Sequence, residues 1–388
     1  MTLFRTGLDR LSDELAHVIR GKRVGVLCHA ASMTRELSWA PFALRGAGAE
    51  VIRLLAPEHG PWGTAQYMVA VDGGVDPFSG FEVVSLYGES EASLRPPPEV
   101  FVGLDAVIVD VQDVGARYYT YAQTAAWAVQ GAVAAGLPAY VCDRPNPLGG
   151  DVVEGNRLGG AWASFVGHPG MLQRHGLTVA ELVRAYSGGA GTAVRMQSYR
   201  RALRWEDTGL AWLPPSPNVP TLDTAVVYPG MCLLEGTNVS EGRGTTTPFL
   251  VFGAPFYDPF ALAARLMEDE LEGVRFVPHV FQPSWDKWAG EACGGVRVVL
   301  DDARALEPVR LGIAVLLALK ELGGDRFQWR SDAYEFVQDR IAIDLLLGDS
   351  ALRHRIEEGD ALDAVVSGLD AEAEAFRVDR RPWLLYDE

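Results

Sequence analysis

The chain has 388 residues, 48% of them hydrophobic, and a formal net charge of −17. That length exceeds one typical core and predicts two domains. The acidic balance argues against nucleic acid as a partner, since phosphate binding needs a basic face, and no run of about 18 apolar residues is present to span a membrane.

In chain order, the N-terminus carries no charged-then-apolar signal region, so a cytoplasmic protein is expected. Short apolar runs at Arg23–His29, Val51–Ala56, Phe81–Tyr87, Ala106–Asp113 and Pro138–Asp143 read as strands. Helical stretches lie between them around Ser38–Gly48 and Tyr119–Gly136. Continuous apolar strands separated by helices indicate an α/β fold with a parallel sheet covered on both faces. The strands end in Cys28-His29, Glu58-His59, Tyr87-Gly88, Gln112-Asp113 and Asp143-Arg144. The carboxyl ends of parallel strands share one edge, where open α/β sheets bind ligands. After Gly150 the pattern changes. Thr178–Ser187 reads as a helix capped by Thr178, and Ala193–Tyr199 as a strand. Leu213–Pro220 is stiffened by proline. Glu235–Thr247 is a polar loop, the kind of segment that carries function. A helix near Pro259–Leu271 and strands near Val274–Phe281 and Val296–Leu300 follow. Helices are expected at Leu306–Leu322, Ala342–Leu347 and roughly Glu358–Phe376. The second domain starts somewhere between residues 150 and 250.

No phosphate-cradling glycine loop occurs, which argues against a nucleotide cofactor. The histidines His29, His59, His168 and His175 lack metal-ligand spacing, so no metal is expected. The four scattered cysteines read as buried reduced thiols. No cofactor of any kind is expected.

Six segments carry a resemblance. They are Ala56-Pro57-Glu58-His59-Gly60, Asp110 through Tyr121, Asp143 through Gly150, Arg174 through Thr178, Pro214 through Asn218, and Glu235 through Thr245. In this order they are similar to the exo-β-N-acetylmuramidase family typified by NamZ, over residues 20 to 300 or so. The resemblance implies a Rossmann-like, doubly wound, mainly parallel sheet and a second, smaller α+β domain closing a cleft. Residues 1–240 and 241–388 are the expected division. It implies hydrolysis of the β-glycosidic bond of terminal N-acetylmuramic acid in peptidoglycan fragments, a reaction of cell-wall recycling. The partners would be saccharides or muropeptides containing that sugar. The sequence departs from the family pattern at Cys28-His29-Ala30, at Trp62 and at Ala65-Gln66-Tyr67-Met68, all beside the expected cleft.

Glycoside hydrolysis uses two carboxyl groups, one protonating the leaving oxygen and one attacking the anomeric carbon or activating water. Glu58 is the first candidate, at a strand end behind Pro57 and before Gly60. The alternative is a capping or ion-pairing role. Glu241 is the second, with Glu235 close behind; either can instead serve only to hold Arg243. Asp113 is a catalytic group, an orienter of water, or the salt-bridge partner of Arg117. Recognition of the lactyl carboxylate calls for a guanidinium, and Arg117, Arg144, Arg174 and Arg243 lie beside the motifs. His59, Gln112 and Tyr118 are expected to line the site. His175 is expected to anchor it. Asn146, Asn218 and Asn238 can bond sugar polar groups or serve as turn residues. The competing reading is a protein that binds the sugar without cleaving it.

Overall fold

The computed structural model describes residues 3–66, 69–70 and 73–387; the Tyr67 and Met68 departures lie outside the described residues. Seven strands form the larger sheet: β1 (Arg23–Cys28), β2 (Glu50–Ala56), β3 (Gly74–Val75), β4 (Glu82–Ser85), β5 (Ala106–Asp110), β6 (Ala139–Cys142) and β7 (Thr192–Val194). Their order is β3-β4-β2-β1-β5-β6-β7. Every pairing is parallel except that of β3 with β4.

Alternate residues of these strands feed two cores. Val24, Val26, Leu54 and Ile108 pack with Leu8, Leu11, Trp39 and Leu44 on one face. Leu27, Leu55, Val107, Val109 and Val141 pack with Ala125, Ala128 and Val129 on the other. The latter three belong to helix Tyr121–Ala134, which begins two residues later than the sequence pattern suggests. A sheet covered on both faces buries β5 at every position, which is why its sequence is apolar without alternation.

The smaller sheet is antiparallel, ordered β8 (Val251–Ala254), β10 (Cys293–Leu300), β9 (Val274–Phe281). Its inner face joins the large core with helices Pro259–Met267 and Pro308–Gly323. Helix Leu222–Met231 crosses Pro308–Gly323 so closely that a Cβ on Gly230 would stand 1.7 Å from the Pro308 carbonyl oxygen. Only glycine permits that crossing.

The expected strand Ala193–Tyr199 is short, Thr192–Val194. Thr178 does cap its helix, with a capping box to Glu181. The single helix expected over 358–376 is instead two, Leu362–Val366 and Leu369–Asp379, preceded by a helix Ala351–Glu358. Gly359 and Gly368, at φ 78 and 97, separate them; left-handed backbone ends a helix. The last of these helices packs Phe376 beside Leu172, Leu177 and Leu182. The Tyr386 hydroxyl then donates to Asp143 at 2.6 Å. No helix among the described residues is long and apolar enough to cross a membrane.

Candidate active site

The motif residues do not all meet in one place. A cavity of about 490 Å³ is lined by Glu58, His59, Tyr118, Asn218, Glu235 and Arg243 from the sequence candidates. It is completed by residues the sequence reading passed over, among them Thr120, Ser216, Tyr334 and Glu335.

Glu58 stands where β2 ends and Pro57 turns the chain. One carboxylate oxygen accepts from the Thr120 hydroxyl at 2.8 Å, and the Tyr121 hydroxyl donates to the Glu58 carbonyl at 3.1 Å. Both donors sit at the start of helix Tyr121–Ala134, so the rigid sheet–helix unit fixes this side chain. His59 has φ 69. Its Nδ1 is 2.9 Å from the Ala65 carbonyl, to which it donates, and its Nε2 is 3.9 Å from Glu58. Burial lowers its pKa, against the pull of Glu58.

Glu335 lines the same cavity as Glu58. It lies in a tight turn closed by a Tyr334–Val337 bridge, with Glu335 at φ 44 and Phe336 at φ 69. Such backbone costs about 1–3 kcal/mol per residue and persists where the surroundings dictate it. The Tyr87 hydroxyl donates to Glu335 Oε2 at 3.1 Å. Burial, with the nearby Glu58 and Glu235 carboxylates, pushes the Glu335 pKa well above the ordinary range. A buried carboxyl beside two like charges keeps its proton.

Glu235 and Glu241 are separated by the fold. Glu235 lines the cavity, accepting from Arg243 Nη2 at 2.7 Å and from the Tyr334 hydroxyl at 2.9 Å. Glu241 is not in the lining. It accepts from Arg243 Nε at 3.0 Å and from Lys287 Nζ at 2.9 Å. Burial works to raise its pKa, but Lys287 and Arg243 prevail and hold it below the ordinary value. Two carboxylates and two cations thus neutralise one another, and Arg243 is committed to that cluster.

Apart from Asn218 and Tyr118, the remaining candidates lie outside the cavity lining and are engaged within the fold. Asp113 accepts from the Gly115 amide at 2.6 Å and stands 3.4 Å from His175 Nε2, so it is not the partner of Arg117. Arg117 donates to the carbonyls of Asn156, Met171 and Leu346. Burial lowers its pKa to about 10. Arg144 forms a two-pronged pair with Asp110 at 2.8 and 2.6 Å. Arg174 donates to the Leu148 carbonyl. Gln112 donates to the carbonyls of Asp113 and Pro145. Asn146 and Asn238 tie loops together through Leu177 and Arg326. Tyr118, although in the lining, gives its hydroxyl proton to the Pro229 carbonyl. Two of the departures near the cleft also make contacts within the fold. Trp62 stacks on Trp39 and donates to Asp76, and His29 is buried against the Tyr121 ring. No group of three His, Cys, Asp or Glu side chains among the described residues is arranged to hold a metal ion.

Models of the N-terminal and C-terminal parts of the exo-β-N-acetylmuramidase NamZ match residues 24–223 and 226–386. The chain belongs to the exo-β-N-acetylmuramidase NamZ family. It is 34% identical to the peptidoglycan β-N-acetylmuramidase NamZ of Bacillus subtilis strain 168, covering 98% of this chain and 91% of that protein. Its fold matches crystal structures of two DUF1343 family proteins from Bacteroides fragilis. One aligns with TM-score 0.84 and 28% identity over 99% of both chains. The other aligns with TM-score 0.76 and 26% identity over 100% of both.

Glu335 left little trace in the sequence. It lies beyond residue 300, outside the stretch carrying the resemblance, and in a loop with no strand or helix to predict its direction. The one signal was a carboxylate set between two aromatics, Tyr334 and Phe336.

Proposed function

We propose that this protein is an exo-acting glycoside hydrolase that removes N-acetylmuramic acid from the ends of peptidoglycan fragments, with Glu335 and Glu58 as its working carboxyl groups. Membership of the NamZ family supports the reaction and the sugar. The observation that carries the assignment of roles is the pair of environments in one cavity. Glu335 has its pKa driven up by burial and by neighbouring carboxylates, as a general acid at neutral pH requires. Glu58 is held by Thr120 and lines the same cavity.

In this reading the Glu335 proton passes to the glycosidic oxygen as the C1–O bond breaks and its electron pair leaves with that oxygen. Glu58 stabilises the positive charge building at C1; water then forms the new C1–O bond, and the proton it sheds returns the carboxyl pair to its starting protonation. Glu235 and Arg243 form a fixed polar wall, and Asn218 offers an amide to the sugar. Glu241, Lys287 and the Asp110–Arg144 pair support the site without touching substrate. Asp113 and His175 do the same. A small cavity ringed by Tyr118, Tyr119, Tyr121 and Tyr228 accords with an enzyme that takes one terminal sugar instead of threading a chain. A role in cell-wall salvage inside the cell belongs to the same proposal. The four cysteines, all free and buried, are at home in a reducing compartment.

The test is hydrolysis of a chromogenic β-N-acetylmuraminide beside the matching N-acetylglucosaminide. Release from the muraminide alone, lost in both Glu335→Gln and Glu58→Gln, is the expected result. A folded protein that releases neither chromophore would overturn the proposal.

A further inference from the structure

A second, more open hollow of about 1030 Å³ adjoins the catalytic cavity and shares Asn218 with it. At this shared rim Asn218 donates to Gln66 at 3.3 Å. The outer face of the small sheet forms one wall. Phe276, Val296 and Val298 turn inward to the core, so the alternate residues His279 and Arg297 project outward into the hollow. Trp285 and Thr245 close the other sides.

The charge of this hollow is unusual for the molecule. The chain carries 51 acidic residues against 34 basic ones, yet none of the described residues lining the hollow is acidic. The arginines beside the catalytic motifs are spent: Arg243 on Glu235 and Glu241, Arg144 on Asp110, Arg117 on backbone carbonyls. Arg297 is different. Its guanidinium meets the ring of His279 at 3.4 Å, and no carboxylate among the described residues lies within ion-pair range of it. A half-buried guanidinium without an anion, next to a hydroxyl-rich wall and an indole, is suited to an anionic saccharide.

We infer that this hollow is the subsite for the leaving side of the substrate, and that Arg297 with His279 receives a carboxylate carried beyond the scissile bond. The inference rests on the muramidase reading above. Peptidoglycan alternates N-acetylglucosamine with N-acetylmuramic acid, so the next lactyl carboxylate, or the peptide built on it, lies on the leaving side of a trisaccharide. It is missing from a chromogenic muraminide, whose only carboxylate belongs to the terminal sugar.

The experiment compares the parent enzyme with Arg297→Gln and Arg297→Lys on a chromogenic muraminide with an uncharged leaving group and on a muramic–glucosamine–muramic trisaccharide. Arg297→Gln should raise KM about tenfold for the trisaccharide, with kcat kept, and leave the chromogenic substrate unchanged. Arg297→Lys should restore part of the loss. Calorimetric binding of the trisaccharide, with Glu335→Gln present in both proteins to prevent turnover, should weaken by the same factor. Equal weakening for both substrates would mean that Arg297 serves the terminal sugar's own lactyl group, and would overturn the assignment. No change in either would overturn it too. If the parent enzyme cleaves neither substrate, the muramidase reading fails, and the calorimetric comparison still decides whether Arg297 binds the anionic saccharide.

Discussion

The carboxyl edge of the large sheet holds two kinds of strand end. At β5 and β6, Asp110 and Asp143 are wholly buried and saturated with partners from the fold. Asp110 grips Arg144, and Asp143 accepts from Thr178, Ala180 and Tyr386. Beyond β2 and β4, by contrast, Glu58 and Tyr87 serve the cavity, through Thr120 on one side and Glu335 on the other. Ionisable residues at strand ends therefore do not mark a site by themselves. What separates the two kinds is where the remaining valences point: into the protein at β5 and β6, into an open space after β2. Charge at the first kind holds the edge together, and charge at the second faces the cavity.

Substitutions on the two sides should fail in opposite ways. Glu335→Gln should lower kcat by about 10²- to 10⁴-fold, the range for a lost general acid. Its thermal midpoint should not fall, because an uncharged amide replaces a carboxyl that burial already keeps protonated. Arg144→Met should do the reverse. Breaking a buried pair by removing one partner costs about 3–5 kcal/mol, read as a lower denaturation midpoint, while kcat per folded molecule stays near the parent value. Burial already raises the Asp110 pKa and Arg144 opposes it, so without Arg144 it rises further. A carboxyl with a raised folded pKa is fully favourable below its unfolded value and loses that advantage as pH climbs through the folded one. The Arg144→Met deficit should then grow from acid to alkaline pH. A parent-like midpoint at pH 8 would erase the distinction between the two kinds of strand end.

Glu241→Gln sharpens the same comparison within one loop. It breaks the contacts to Arg243 and Lys287, at about 1–3 kcal/mol of stability, and should leave kcat within a few-fold. Loss of kcat comparable to that of Glu335→Gln, in a folded protein, would return Glu241 to the catalytic pair.

Much of the fold was legible because parallel strands buried on both faces leave apolar runs, as in Ala106–Asp110, and because Thr178 with Glu181 writes a capping box. Glu58 was legible for the same reason: a rigid strand end tells which edge its side chain joins. Arg117 and Asp113 are four residues apart but not paired in space, since the hydrogen-bond partners of Arg117 come from chain 39 to 229 residues away. Spacing cannot reveal these. Glu335 depends on two residues in left-handed backbone and on a tyrosine 248 positions earlier. Such a group is defined by tertiary contacts alone, whereas the pairing of Arg243 with Glu235 and Glu241 was open to a reading of one short loop.

The finest test is the tyrosine between the sheet edge and the acid. The Tyr87 hydroxyl donates to Glu335, and that bond stabilises the anion, holding its pKa lower than burial alone would. Tyr87→Phe removes the donor without opening a large space. The Glu335 pKa must then rise further. A general acid works only while protonated, so activity falls as pH climbs through that pKa, and the alkaline limb of the kcat profile should move to higher pH. One neutral hydrogen bond is worth about 0.5–1.5 kcal/mol, so kcat at neutral pH should stay within about tenfold of the parent. A limb that moves to lower pH, or not at all, would mean that Tyr87 merely packs against Phe165 and Phe336 and that another group sets the alkaline limit.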